Sequence, residues 1–196
     1  GRKYVYVLNK ILEAKPEDMV ITMHICRGNF RSTWSSTGGY EPVAEILFGH
    51  CNVDGFFLEY DSDRAGGFEP LRYIGKQKVV LGLVTSKDAK LENKEDVIAR
   101  IREASKYVPL EQLALSPQCG FASTEEGNLV TDADQWSKLA LVKEIAEEVK
   151  KQMDLTIDKK KVQLKEAIRT LGTHTVPVKL HPKVTAELKV VVKEEA

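Results

Sequence analysis

A histidine and a cysteine two residues apart, His24-Ile25-Cys26, close an apolar, β-branched run, MVITMHIC, that starts at Met19. Strand side chains alternate with period two, so the imidazole and the thiol leave the same face and could share one cation. Taken alone, the pair reads more simply as a buried thiol beside a satisfied core histidine. Two further residues change that reading. Glu59 lies at the C-terminal end of a second apolar run, VDGFFLEYD, where burying a carboxylate costs on the order of several kcal/mol unless it is paired or ligates a cation. Cys119 follows a third such run, EQLALSP, between Ser116-Pro117-Gln118 and Gly120. In parallel α/β folds the C-terminal strand ends converge on one rim, where active sites form. His24, Cys26, Glu59 and Cys119 would therefore meet there and offer one nitrogen, two sulfurs and one oxygen, a donor set suited to tetrahedral Zn²⁺.

Convergence of that kind needs strands separated by helices, and the chain reads that way. Tyr4 to Ala14 has apolar residues at helical spacing and is stopped by Pro16. After the first strand comes a Ser/Thr/Gly-rich loop, Ser32 to Gly39, and then a short helix opened by Pro42. KVVLGLVTS reads as another strand and Lys94 to Tyr107 as an amphipathic helix with Val97, Ile98, Ile101 and Ala104 on one face. A last helix begins near Asp132, with Trp136, Leu139, Val142, Ile145 and Val149 on one face. Four strands alternating with helices predict a parallel sheet, either half a barrel or a small open α/β sheet. Beyond residue 150 closely spaced β-rich runs take over: LTIDKKKVQL, a short helical AIRTLG, HTVPVKLHP and KVTAELKVVV, which together predict a small α+β module.

Composition sets the outer limits. The chain has 196 residues, 42% hydrophobic and 30% charged, which suits a folded protein and is too short for a complete eight-stranded α/β barrel of roughly 250 residues. No apolar run reaches the ~18–20 residues of a membrane span, so no membrane partner is expected and a cytoplasmic location is. The odd number of widely spaced cysteines argues for reduced thiols or metal ligands over a disulfide framework. A net charge of zero conceals a split: residues 1–149 carry 18 Lys and Arg against 23 Asp and Glu, and residues 150–196 carry 11 against 6. An acidic body followed by a basic tail predicts two modules, 1–149 and 150–196, the second being either a polyanion-binding surface or a solvated lysine-rich face. Trp34, Trp136 and Phe48 read as packing anchors, and Cys51, beside His50, as a small buried hydrophobe.

The segments MHICRGN, FFLEYD and LSPQCGFAS resemble the zinc-binding segments of cobalamin-independent methionine synthase, specifically its shorter relatives that contain only the C-terminal catalytic barrel. The resemblance continues through GLVTSKDAKLENKEDV and QWSKLALVKEIAEEV and so covers roughly residues 1–149. It implies an α/β fold corresponding to the last four strands of a TIM-type barrel, with zinc bound by His24, Cys26, Glu59 and Cys119. It also implies a methyltransferase that moves a methyl group from 5-methyltetrahydrofolate to the thiol of homocysteine, with Glu59 the ligand expected to loosen as the thiol arrives. Arg27, Asn29 and Asp61 flank the expected site and are candidates to orient the ligands. Classical members carry a histidine after the third of these strands; here the stretch reads VTSKDA, leaving Thr85, Ser86 or Lys87 in that place. An incomplete barrel could pair with a second copy to close its sheet, so a homo-oligomer is expected as well.

The tail, notably DKKKVQL, AIRTLG and VPVKLHP, resembles the C-terminal domain of bacterial ribosomal protein L9, over about residues 145–196. That resemblance implies the alternative function of ribosomal RNA binding in the large subunit. Lys159, Lys160, Lys161, Lys179, His181 and Lys183 are the phosphate-facing candidates, with salt-dependent and sequence-independent affinity expected. His174 and His181 lack a thiol or carboxylate at ligand spacing and do not read as a second metal pair.

Overall fold

The computed structural model describes residues 1–122, 124–152, 170–181 and 184–192, from residue 177 onward by backbone alone. The chain divides into two compact units, Gly1–Val149 and Lys150–Ala196.

In the first unit the helices α1 (Arg2–Leu12), α2 (Glu41–His50), α3 (Lys94–Ala104) and α4 (Asp132–Gln152) alternate with the strands β1 (Thr22–Ile25), β2 (Gly55–Glu59), β3 (Lys78–Val84) and β4 (Leu113–Pro117). Every strand pair is parallel and the order is β1-β2-β3-β4. Each crossover therefore steps to the next position in the same direction, which is the winding of a barrel and not that of a doubly wound sheet with a switch point. The expected α/β half-barrel is what the chain forms. α2 starts where Pro42 presets the first turn. α3 starts where the Asn93 side chain accepts hydrogen bonds from Glu95 N and Asp96 N, two donors that the first turn leaves without partners.

Period-two alternation splits the sheet into two faces. Phe56, Leu58, Val79 and Leu81 are completely or almost completely buried and form the core with Ala44 and Phe48 of α2 and Val97, Ile98 and Ile101 of α3. On the opposite face His24, Phe57, Val80 and Ala114 stand in one row across the four strands, and of these His24, Phe57 and Ala114 are exposed. Only one face of this sheet is covered by its own helices.

Two packing expectations are corrected. Trp136 is 69% exposed and Trp34 45% exposed, so neither anchors the core as Phe48 does; Trp34 instead stacks under the Arg64 guanidinium, 5.0 Å from its ring centroid. The inward position of α4 near its start belongs to Lys138, fully buried, whose ammonium donates to Lys90 O (2.7 Å) and to both carboxylate oxygens of Glu92 (3.1 and 3.2 Å). A lysine can take that place because its aliphatic stem fills apolar space while every charged contact is met at the tip.

In the second unit β5 (Gly172–His181) and β6 (Val184–Val192) form an antiparallel pair, with a register shift between Lys179 and His181. The run LTIDKKKVQL and the first half of AIRTLG fall outside the described residues. Among the described residues no helix is long and apolar enough to cross a membrane.

Candidate metal centre

Three of the four expected ligands converge. Cys119 Sγ lies 3.4 Å from His24 Nε2, and the ligand atoms of His24, Cys26 and Cys119 all fall within 4.8 Å of one another. His24 is on β1, Cys26 one residue past its end and Cys119 two residues past the end of β4, so both outer strands deliver donors to the same rim. The sheet curves enough for its first and last strands to do this.

Gly82 is what lets β4 approach. A Cβ at this position would sit 2.7 Å from Gln118 Cα and 2.8 Å from Leu58 O, both too close for any side chain. The register between β3 and β4 slips between Gly82 and Val84, and Gln118 N then donates to Val84 O at 2.8 Å. The Gln118 side chain is fixed in turn: its Oε1 accepts from Ser86 N (3.2 Å) and Ser86 Oγ (2.7 Å), while Asn29 Nδ2 donates to Ser86 Oγ (3.0 Å) and Gly120 O (3.3 Å). Cys119 is thereby held on both sides. Gly28, at φ +95°, serves the other side of the rim: a Cβ there would meet Ser35 Oγ at 2.7 Å, and Ser35 N donates to Arg27 O at 2.8 Å.

Glu59 stands beside this trio and is not one of the three atoms that converge. Its carboxylate is fully buried and accepts from Arg27 N–H (2.7 Å) and from Arg64 (3.2 Å). The Arg27 guanidinium lies over the Tyr40 ring, 4.4 Å from the centroid, and donates to Gly38 O and the Tyr40 hydroxyl. The Tyr40 hydroxyl in turn donates toward Ile25 O and Glu59 O, both at 3.1 Å, tying the ends of β1 and β2 together. Asp61 pairs with Lys87 (3.3 Å) and Arg64 (3.6 Å), completing a buried charge network.

Of the three residues in the place of the family histidine, Thr85 has its N–H bound to Glu92 and Ser86 is committed to Gln118. Lys87 is the one whose charge is felt at Cys119. The Cys119 thiol is pushed up to about 12, first by burial and then by the neighbouring Cys26 sulfur, with Lys87 opposing the shift and Glu59 adding to it. Partial burial of the ring lowers the His24 pKa below its ordinary value, against the pull of Glu59. An uncharged imidazole beside two sulfurs that repel each other when ionised is a donor set that a divalent cation satisfies. One imidazole and two thiols are soft ligands of the kind that suit Zn²⁺. Cys51 is buried and away from the rim, as expected.

Sequence reasoning missed Arg64, Tyr40, Ser86 with Gln118 as a positioning pair, and Lys138. Arg64 sits in a turn, SDRAGG, with no periodicity to mark it; the signal that could have found it is the need of a buried Glu59 for a cation.

Comparison with known proteins relates different parts of the chain to different families. Residues 141–194 match the family model of the ribosomal protein L9 C-terminal domain. The large ribosomal subunit protein bL9 of Bacillus velezensis is 40% identical over 111 residues, covering 56% of this chain and 68% of that protein. The uncharacterised protein YxjG of Bacillus subtilis is 59% identical over 144 residues, covering 72% of this chain and 38% of that protein. A solved Listeria monocytogenes structure, assigned by inference as a vitamin-B12 independent methionine synthase, has a TM-score of 0.57 at 46% identity, covering 74% of this chain and 40% of that one. The chain thus spans about two fifths of the length of YxjG and of the Listeria protein.

Proposed function

Since the chain belongs to the ribosomal protein L9 family through its C-terminal part and carries ahead of it a part with the fold of the methionine synthases, we propose that residues 1–149 are a zinc-binding methyl-transfer module. The observation that carries this reading is the convergence of His24, Cys26 and Cys119 within 4.8 Å. These three hold the ion, and Glu59 is the exchangeable fourth ligand. Arg27 N–H and Arg64 already grip its carboxylate, so it has a place to rest when a thiol substrate takes its position. Bound zinc lowers the pKa of a substrate thiol so that it is a thiolate near neutral pH. Lys87, whose charge opposes part of the rise at Cys119, supplies positive charge toward the sulfurs. Asp61 fixes that ammonium in turn, at 3.3 Å.

The substrate class is a small thiol, homocysteine by family, with a methyl-folate as donor, acting in the cytoplasm. Because the chain spans only two fifths of its relatives, the full reaction requires surfaces beyond those of this unit. Zinc analysis of the purified chain tests the reading. About one ion per chain is expected from a single closed donor set, with near-complete loss in Cys26→Ser and in Cys119→Ser. A wild-type chain that retains no zinc after purification in zinc-supplemented medium overturns it.

A second reading is favoured by the family match of residues 141–194: the basic tail contacts large-subunit ribosomal RNA through Lys159, Lys160, Lys161, Lys179, His181 and Lys183, none of whose side chains lies in the described part. RNA binding that weakens steeply with salt, and that drops when Lys159, Lys160 and Lys161 are changed to Gln, supports this. Salt-independent or absent binding removes it.

A further inference from the structure

Two carboxylates compete for Arg64. Its Nη2 donates to Glu59 Oε1 at 3.2 Å and lies 3.6 Å from Asp61 Oδ1, just beyond hydrogen-bond reach. The Glu59 side chain is completely buried and that of Asp61 is 2% exposed. Among the described residues, Asp61 Oδ1 and Arg64 Nε are buried with no hydrogen-bond partner. An acceptor and a donor left unmade in a dry place each carry a desolvation cost, and these two are complementary. Both are enclosed by this unit's own residues. The second oxygen of each carboxylate is engaged elsewhere: Arg27 N–H donates to Glu59 Oε2 (2.7 Å) and Lys87 to Asp61 Oδ2 (3.3 Å). Oε1 and Oδ1 remain for the same nitrogen. The backbone of Arg64 is tied down, because Gly38 N donates to Arg64 O at 3.1 Å. Its guanidinium lies 5.0 Å from the Trp34 ring centroid, a contact that attracts the cation without selecting between the two acceptors.

We propose that Asp61 is a positioning residue for the exchange of Glu59: it takes the Arg64 guanidinium while Glu59 ligates the metal, and yields it back when a thiol displaces that carboxylate. This deepens the zinc-site reading and rests on it. The need for such a residue follows from burial. Turning Glu59 toward His24, Cys26 and Cys119 strips Arg64 of its hydrogen-bonded anion, and a largely buried cation left without one opposes the turn. Asp61 Oδ1 removes that opposition at the cost of a small side-chain shift, and the shift satisfies the acceptor and donor that are now unmade. No charge is created or lost, since Arg64 passes from one carboxylate to another. The arrangement with Arg64 on Glu59 is the released state of the exchange.

Zinc affinity of the full chain, measured by competition with a chelator, tests this. Asp61→Asn should weaken zinc about tenfold, as loss of a residue that orients a ligand does, because Arg64 then stays on Glu59. In a Glu59→Gln background the same change should cost less than about twofold, since effects routed through one residue do not add. In a Lys87→Met background the loss should persist. Equal loss with and without Glu59 shows Asp61 supporting the site by another route and overturns the proposal. A loss that vanishes with Lys87 assigns Asp61 to the lysine and overturns it too, as does no loss at all. A wild-type chain that binds no zinc overturns the zinc-site reading and this inference with it. Fluorescence gives a readout that leaves the charge network intact. The chain has two tryptophans, so Trp136→Phe, at an exposed position, leaves Trp34 under Arg64 as the sole indole. Zinc should shift its emission and homocysteine should reverse the shift, and adding Asp61→Asn should abolish both changes. Emission that zinc leaves unchanged in the Trp136→Phe chain, or a shift that survives Asp61→Asn, overturns the proposal.

Discussion

β2 has a carboxylate at each end, and the two ends solve the same problem differently. Asp54, just before the strand, accepts from Ile21 N–H (2.7 Å) and from Lys15 (2.7 and 3.0 Å). Glu59, its last residue, accepts from Arg27 N–H (2.7 Å) and Arg64 (3.2 Å). In both cases a backbone donor flanking β1 and one basic side chain hold the carboxylate. The Asp54 side chain is 37% exposed, however, and that of Glu59 is not exposed at all. Water can replace any partner that Asp54 loses, whereas Glu59 has nothing to fall back on. The lower end therefore staples strands together, while the upper end maintains a charge in a dry place beside three metal-type donors. That is the division between stability and chemistry expected of the two ends of a barrel.

Breaking the upper pair should have the largest effect. Arg64→Met leaves Glu59 charged and buried with one partner gone, so the urea unfolding free energy should fall by about 3–5 kcal/mol. Glu59→Gln, which removes the charge and keeps an acceptor, should cost clearly less. If the two variants cost the same, the network behaves as an ordinary surface pair and the contrast between the ends disappears.

Gly82→Ala should come next. The added methyl must push Gln118 or Leu58 O aside, costing roughly 1–3 kcal/mol as overpacking does, and the displacement passes directly to Cys119. Weaker zinc retention than in Val80→Ala, measured by competition with a chelator, would tie the β3–β4 approach to the metal site. Equal retention would leave Gly82 with a packing role only.

Asp54→Asn should have the smallest effect, and its pH dependence is directional. The hydrogen bonds from Lys15, first, and from Ile21 N–H hold the Asp54 carboxyl below its ordinary value of 3.8. The unfolded chain therefore binds a proton more readily, and the stability this group contributes is complete above 3.8 and lost as pH falls through the lower folded value. Thermal melts of wild type and Asp54→Asn should differ slightly at neutral pH and converge in acid. A gap that widens in acid would mean that the staple is not electrostatic.

The alternation of strands and helices was legible because each element carries its own period, and because Pro42 and Asn93 mark helix starts locally. The donors His24, Cys26 and Cys119 were legible because parallel strands send their C-terminal ends to one rim. Arg64 was not, since a residue in a turn acquires a partner only when distant chain folds over it. Trp136 was expected inward and Lys138 was missed for a related reason. Helical periodicity identifies a face, but which neighbour that face meets decides whether indole or ammonium goes inward, and Glu92 with Lys90 O supplied the acceptors for Lys138.

The amino-acid sequence by itself determined the alternation of elements, the change of grammar near residue 150 and the chemical type of the residues at the strand ends, because all of these follow from local periodicity and composition, whereas the barrel-type winding needed the strand order. Only the tertiary structure decided that Glu59 rests on Arg27 and Arg64, that Lys87 and not Thr85 or Ser86 acts on Cys119, and that Gly82 sets the approach of β4. Those outcomes depend on contacts between residues far apart in the chain, whose energies of burial and pairing exist only once the sheet has curved.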